Sequence, residues 1–315
     1  MKKLTCALLV LSFVPWCRAL DDSQFGLFIQ PSWMLFQENF NVQVEKTGFF
    51  LKRYDDSRTL PALALDAGVR LWNSSLKGSY NTTSGFSRKD SDDSYWRYWL
   101  DYYYPFHQQD DLHFGVKYST FKKELSADDL FDYQAERKNL ALLASFGTMD
   151  FDLMVSTREE VEQGEPESGG FVTAALGIGQ YENNFEVTER GSPLDEFRTE
   201  NDLGFLFGFY AGGIAREEKY YLAGSMGAEI VTNGDATVNG EKLTEADQVN
   251  NISGLFYGEA GYNLGRSATV GLAWTWRTEK TDTAQKLGAG ANPDYELNNA
   301  TIHTFLTQVF LKIAF

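Results

Sequence analysis

Three histidines are the side chains of this sequence best suited to move a proton near neutral pH. His107 lies beside Asp110 and Asp111 in a stretch that reads as a short turn, which favours a solvated histidine. His303 lies on the apolar side of an alternating segment, but no serine occurs in residues 268–277, the neighbouring segment. A Ser–His hydrolase needs both groups within hydrogen-bonding distance. We therefore predict no catalytic residue and keep a lipid- or peptide-hydrolase as an alternative.

Acidic residues are abundant, but their spacing does not indicate a metal site. One run consists of Glu159, Glu160, Glu162, Glu165 and Glu167. It lacks the Asp-x-Asp-x-Asn-Gly spacing of a calcium loop, so a solvated, self-repelling loop is the better interpretation. We predict no metal and no cofactor.

The first 19 residues have the pattern of a cleaved signal peptide. Two lysines precede an apolar stretch over residues 4–16, and residues 17–19 offer a small-x-small cleavage site. Cleavage would remove Cys6 and Cys17, the two cysteines of the sequence, and would leave no thiolate for metal binding or catalysis. An acylated Cys17 is the alternative, although the residue before it, Trp16, is large.

Composition excludes several classes of protein. Of the 315 residues, 43% are hydrophobic and 15% are aromatic, which indicates a folded domain rather than disorder. The formal net charge of -16 would repel phosphate backbones, so we predict no nucleic-acid partner. No run of eighteen apolar residues follows the signal segment, so a transmembrane helix is not expected.

The rest of the sequence alternates apolar and other residues in segments separated by turn-like or acidic stretches. In residues 95–106, Trp96 and Tyr98 lie on one side, and Arg97 and Asp101 lie on the other. Tyr and Trp concentrate near the segment ends. This pattern is typical of membrane barrel strands. It predicts an all-β protein, a transmembrane antiparallel β-barrel of about fourteen strands, with twelve to sixteen as the range.

The connections between the predicted strands alternate in length. Short ones are predicted near residues 73–74, 107–111, 147–148, 182–184, 213–217 and 265–267. Longer polar ones are predicted over residues 87–93, 122–136, 158–169, 188–202, 232–251 and 278–299. Short turns at one end and long loops at the other are the arrangement of an outer-membrane barrel, with periplasmic turns and outer loops.

The last strand of the sequence resembles that of Gram-negative outer-membrane β-barrel proteins of the porin-like kind. Val309, Leu311, Ile313 and Phe315 alternate along it, and Phe315 is the final residue. In that family such a strand is the signal that the barrel-assembly machinery reads. The resemblance implies an outer-membrane location, contact with membrane lipid and lipopolysaccharide, and insertion as a closed barrel without free edges.

Three parts are expected along the chain: a signal peptide over residues 1–19, a segment over residues 20–47, and the barrel over residues 48–315. The middle segment is less regular because Pro31 interrupts the alternation of Phe25, Leu27 and Ile29. The sequence leaves open a lead-in, an extra strand and a small plug for it.

Charged residues opposite the apolar side are predicted to line the barrel lumen, because charges at membrane depth need water or one another. They are Asp66, Arg70, Lys77, Arg97, Asp101, His113, Lys117, Asp150, Asp152, Glu229, Glu259, Arg277 and Lys312. Both signs occur, which fits a polar pore with a transverse field and equally a salt-bridged, filled interior. The sequence favours a porin-like channel for small hydrophilic solutes. A hydrolase and a non-conducting structural or adhesive barrel are the alternatives.

Overall fold

The alternating segments form β-strands that are longer than the apolar stretches within them. The computed structural model describes residues 25–46, 49–71, 74–83, 94–109, 111–127, 131–147, 168–189, 192–217, 219–238, 241–242, 246–265, 267–285 and 296–314. The strands are β1 (Phe25–Lys46), β2 (Phe49–Leu71), β3 (Ser74–Thr82), β4 (Ser94–Gln109), β5 (Leu112–Ala127), β6 (Phe131–Gly147), β7 (Gly169–Glu189), β8 (Ser192–Arg216), β9 (Tyr220–Val238), β10 (Glu241–Lys242), β11 (Ala246–Asn263), β12 (Ala268–Gln285) and β13 (Glu296–Ala314). Within these ranges no helix is long and apolar enough to cross a membrane.

Twelve of these strands close into a ring. Every pairing is antiparallel, and β13 pairs with β1 while β8 pairs with β9, so the order of strands returns to its start. The two-residue β10 pairs only with Thr237 and Val238 of β9 and lies outside the ring. The fold is therefore a closed antiparallel β-barrel, in which each barrel strand has a neighbour on both sides.

The ring has twelve strands rather than the predicted fourteen. The turn predicted at residues 182–184 is wrong, because these residues continue β7 and pair with residues 198–200 of β8. Arg198 forms an ion pair with Glu182 across these two strands, with its guanidinium nitrogen 3.0 Å from the carboxylate. The strand predicted over residues 149–156 lies outside the described residues.

Residues 25–46, for which the sequence left three interpretations open, form β1. This strand pairs with β13 on one side and with β2 on the other over most of its length. Pro31, which interrupts the sequence pattern, lies opposite Leu65 of β2 with its ring exposed on the outer face.

The connections do not follow the predicted division into short turns and long loops. The predicted loops over residues 122–136 and 188–202 are mostly strand. Three residues connect β5 to β6 in the first of them, and two residues connect β7 to β8 in the second. β6 ends, and β7 begins, at the end of the barrel that carries the short turns, because the Gly147 amide donates to the Asp111 carbonyl oxygen at 2.9 Å. We call this the turn end, and the opposite end the loop end.

The outer face of the barrel is apolar along the middle of every strand. On β6, for example, Leu142 is 59% exposed, and Leu140 and Phe146 are exposed on the same face. Closer to the loop end, the outward positions of β6 are Glu136 and Lys138. We call the apolar band the outer belt. It includes Trp33, Leu63, Leu65, Leu100, Tyr102, Leu140, Leu142, Leu176, Phe205, Phe207, Leu222, Met226, Leu272, Trp274 and Val309.

The inner face is filled by side chains toward the loop end. Phe36 stacks on Tyr95 with their ring centroids 3.8 Å apart, and Leu125, Tyr133 and Phe185 are buried nearby in the same apolar cluster. Tyr95, Leu125, Tyr133 and Phe185 lie near the loop ends of their strands, and Phe36 lies in the middle of β1. The barrel interior is therefore a packed core at this end, whereas a cavity remains in its middle part.

Candidate functional site

A cavity of about 330 Å³ lies inside the ring. Its lining comes from the inward side chains of nearly every strand. The predicted lumen residues that line it are Asp66, Lys77, Arg97, Asp101, Lys117, Glu229, Glu259, Arg277 and Lys312. Arg70 and His113 lie on inward positions outside the cavity lining, and Asp150 and Asp152 lie outside the described residues. Inward alternation thus brings most of the predicted charges together.

Lys117 of β5 connects the two sides of the cavity. Its ammonium lies 3.5 Å from the Asp101 carboxylate of β4 and 5.2 Å from the centroid of the Tyr210 ring of β8. The Tyr210 hydroxyl donates to Glu229 of β9, and the Asn139 amide donates to the same carboxylate at 3.2 Å. These contacts link five strands through side chains, so they hold the cavity wall in place.

Glu259 of β11 is the second acid held by tyrosines. The hydroxyls of Tyr221 and Tyr257 both donate to its carboxylate, which is buried. Hydrogen bonds from neutral donors stabilise a buried carboxylate without neutralising its charge. The wall formed by β9 and β11 is therefore acidic.

The opposite wall is basic. Lys77 lies on β3, Arg97 on β4, Lys117 on β5 and Arg137 on β6, so four consecutive strands each contribute a cation to the lining. Asp101 lies among them. Arg216 of β8, Arg277 of β12 and Lys312 of β13 lie on the strands beside the acidic wall, so cations occur around the whole cavity and are densest on β3 to β6.

A layer of ion pairs crosses the barrel between the cavity and the loop end. In its first part, Lys123 of β5 forms an ion pair with Glu38 of β1, and the Thr304 hydroxyl of β13 donates to Glu38 at 2.8 Å. The Lys123 ammonium also lies 3.5 Å from the Thr304 oxygen. Three strands separate β5 from β1 in the ring, so these contacts span the interior.

The second part is centred on Glu279 of β12. Its carboxylate lies 3.2 Å from the guanidinium of Arg137 and 2.8 Å from that of Arg277, and it accepts a hydrogen bond from Tyr133 at 3.2 Å. β6 and β12 lie on opposite sides of the ring, with four strands between them one way and six the other. We call Glu38, Lys123, Tyr133, Arg137, Arg277, Glu279 and Thr304 the ionic layer.

Solvent reaches little of the ionic layer, whose most exposed side chain is Arg277 at 20%. The side chains of Lys123 and Glu38 are 1% and 0% exposed, and those of Arg137 and Glu279 are 5% and 4% exposed. Charges so completely buried are stable only when paired and hydrogen-bonded. The layer therefore closes the interior between the cavity and the loop end.

Sequence reasoning missed Glu38, Lys123, Arg137 and Glu279. It assigned Lys123 and Glu279 to loops and placed Arg137 directly after one, because the alternation of apolar residues stops there. The period of two continues nevertheless: from Phe121 the next inward position is Lys123, and from Arg277 it is Glu279.

His303, the candidate for a hydrolase, lies on the outer face of β13 next to the belt. Its Nδ1 is 3.0 Å from the Thr278 hydroxyl of β12, and its ring stacks on Trp276 with the centroids 6.3 Å apart. The nearby Ser57 hydroxyl donates to Asn39 at 2.7 Å. Among the described residues, no three His, Cys, Asp or Glu side chains form a group that could hold a metal ion.

The residues of the predicted assembly signal lie on the final strand. Val309 and Leu311 are exposed on the outer face of β13, and Ile313 lies on the same side. Phe315 lies outside the described residues.

The sequence matches no protein-family model and no curated protein. Solved structures to which the chain is similar include the toluene transporter TodX of Pseudomonas putida, at 8% identity and a TM-score of 0.35, covering 95% of this chain and 92% of that one. They also include the translocator domain of the autotransporter NalP from Neisseria meningitidis, at 11% identity and a TM-score of 0.41, covering 99% and 96%. A third is the outer membrane protease OmpT from Escherichia coli, at 12% identity and a TM-score of 0.34, covering 93% and 97%. TM-scores this low carry no argument about function, and the assignment of this chain as a closed β-barrel rests on its own strand pairing.

Proposed function

We propose that the protein is an outer-membrane channel for small hydrophilic solutes, which the ionic layer holds closed in this structure. The observation that carries the proposal is the charged cavity inside a barrel whose outer belt is apolar. This arrangement places polar groups where water and solutes would pass and apolar groups where lipid would lie.

The outer belt supports a membrane location. Side chains such as Phe205 and Leu142 are 62% and 59% exposed, and similar residues surround the barrel. A continuous apolar surface of this extent is unfavourable in water, and a closed barrel is one of the two structures that satisfy backbone hydrogen bonds in lipid. With the expected signal peptide, this favours export to the outer membrane of a Gram-negative bacterium.

The cavity supports conduction rather than a purely mechanical role. Buried charges destabilise a protein unless they are compensated, and an apolar interior would hold a small barrel together at least as well. Lys77, Asp66 and Lys312 all face the cavity between the ionic layer and the turn end. Charges that face an open cavity are what a solute pathway requires.

The conductance of single molecules in planar bilayers tests this proposal. The mature chain, refolded and confirmed as β-protein by circular dichroism, should show rare, small current steps. Glu279→Ala removes the anion that joins Arg137 and Arg277, and the two cations then repel each other. We expect this variant to open more often and to carry more current.

The matched control is Glu136→Ala, which breaks a pair with Lys138 on the outer face of β6. It should conduct like the wild-type protein, because neither side chain faces the interior. Equal currents from Glu279→Ala and Glu136→Ala would contradict the role of the ionic layer as the barrier.

A non-conducting structural barrel is the second candidate, and the burial of the ionic layer favours it. In that case the pairs around Lys123 and Glu279 serve only to fill and stiffen the interior. Complete absence of current from correctly folded wild-type and Glu279→Ala proteins would establish this candidate over the channel.

A further inference from the structure

We infer that the cavity is a binding site for a small organic anion of the carboxylate class. The inference deepens the proposed function, because it names the class of solute that the channel would select. Three observations carry it: the charge of the lining, the way its acids are held, and the size and apolar parts of the cavity.

The lining is cationic although the chain is acidic. Among the described residues that line the cavity, seven are Lys or Arg and four are Asp or Glu. Adding Glu279, which pairs with two of these arginines, still leaves an excess of positive charge. The whole chain has a formal net charge of -16, so this excess is local. In an enclosed space of low dielectric constant, such an excess attracts an anion strongly.

Three of the four acids of the lining are already engaged by donors from the protein. Glu229 accepts hydrogen bonds from Tyr210 and Asn139, and Glu259 accepts from two further tyrosines. Asp101 pairs with Lys117. A cation entering the cavity would have to compete with these donors for each carboxylate. Among the cations of β3 to β6, Lys117 and Arg137 already pair with Asp101 and Glu279. An entering anion would therefore be held by the excess of Lys and Arg over acids in the lining as a whole, whose ammonium and guanidinium groups suit a carboxylate.

The size and the apolar parts of the lining favour an organic anion over an inorganic one. A volume of about 330 Å³ is at the lower end of the range for small-molecule sites. Trp99, Phe28 and the Tyr210 ring contribute apolar surface beside the charges. A short carbon chain can contact these rings while its carboxylate meets the cations, and inorganic phosphate would leave the rings uncovered.

Binding can be measured without conduction. Trp99 lines the cavity, so its fluorescence should change when a ligand enters, and Trp99→Phe should lose this change. We would titrate the refolded protein in detergent with succinate, phosphate, glucose and choline at constant ionic strength. Succinate should give a saturable signal, phosphate should bind more weakly, and glucose and choline should give none. Equal responses to succinate, glucose and choline would overturn the inference.

Charge variants give opposite expected effects, which a purely structural role would not produce. Lys77→Gln should weaken succinate binding by about tenfold, since it removes one cation of the basic wall. Glu229→Gln keeps hydrogen-bonding groups beside Tyr210 and should strengthen binding. Lys138→Gln, on the outer face, is the control and should change nothing. If Lys77→Gln does not fold, Lys312→Gln removes another cation of the lining and provides a second test.

Conduction and binding can fail separately. Succinate binding in a protein that carries no current, even as Glu279→Ala, would retain the anion site and overturn the channel. A conducting protein that binds no succinate and whose reversal potential shows cation preference would retain the channel and overturn the anion site.

Discussion

Replacement of Lys123 by methionine should destabilise the barrel strongly. The Lys123 and Glu38 side chains are 1% and 0% exposed and form an ion pair. The change leaves a buried carboxylate whose one hydrogen bond among the described residues comes from the Thr304 hydroxyl. Removing one partner of a buried pair costs about 3–5 kcal/mol, because the remaining charge stays uncompensated in a low dielectric. The double variant Glu38→Gln, Lys123→Met removes both charges and should regain most of this stability.

Urea unfolding of the refolded proteins in lipid vesicles, followed by circular dichroism, measures the effect. The control is Lys138→Met. The Lys138 and Glu136 side chains form an ion pair and are 48% and 35% exposed, so loss of this pair should cost less than about 1 kcal/mol. The reasoning is refuted if Lys123→Met costs no more than the control, or if the double variant is as unstable as the single one.

Three further predictions concern the belt, the sheet and the outer face. Leu142→Arg puts a charge into the outer belt and should lower stability in vesicles by about 2–4 kcal/mol, whereas Gln134→Arg, outward on β6 closer to the loop end, should have little effect. Gly177→Ala would overlap a backbone carbonyl of β6, and we expect a loss of about 1–3 kcal/mol in the same unfolding assay. Phospholipid hydrolysis by the wild-type protein should not exceed that of His303→Ala, and an activity that disappears in this variant would instead identify a hydrolase.

The barrel and the direction of most side chains could be predicted from period-two alternation, but the strand number and loop lengths could not. The errors in strand number and loop length arose where strands continue beyond the outer belt. At residues 182–184 both faces of β7 are polar, so no alternation marks the strand, although backbone pairing with β8 persists. Backbone hydrogen bonds depend on the partner strand and not on the polarity of side chains, so composition does not report them.

The sequence predicts which residues of the candidate site face the interior, but not which of them contact one another. Alternation assigns Lys117, Glu229 and Glu259 to the interior, and in the structure all three line the cavity. It could not show that tyrosines hold the two acids, because those contacts join strands that are distant in sequence. It also could not reveal that Glu279 meets Arg137 across the ring, since this depends on barrel diameter and strand register.

The contacts of the ionic layer have a consequence for the order of folding. The Thr304–Glu38 hydrogen bond joins residues 266 positions apart, and the Tyr133–Glu279 bond joins residues 146 apart. Neighbouring hairpins can form locally, whereas these contacts need β1 and β13 to meet first. The layer therefore assembles only at ring closure. Substitutions in it should leave early hairpin formation unchanged and accelerate unfolding of the finished barrel.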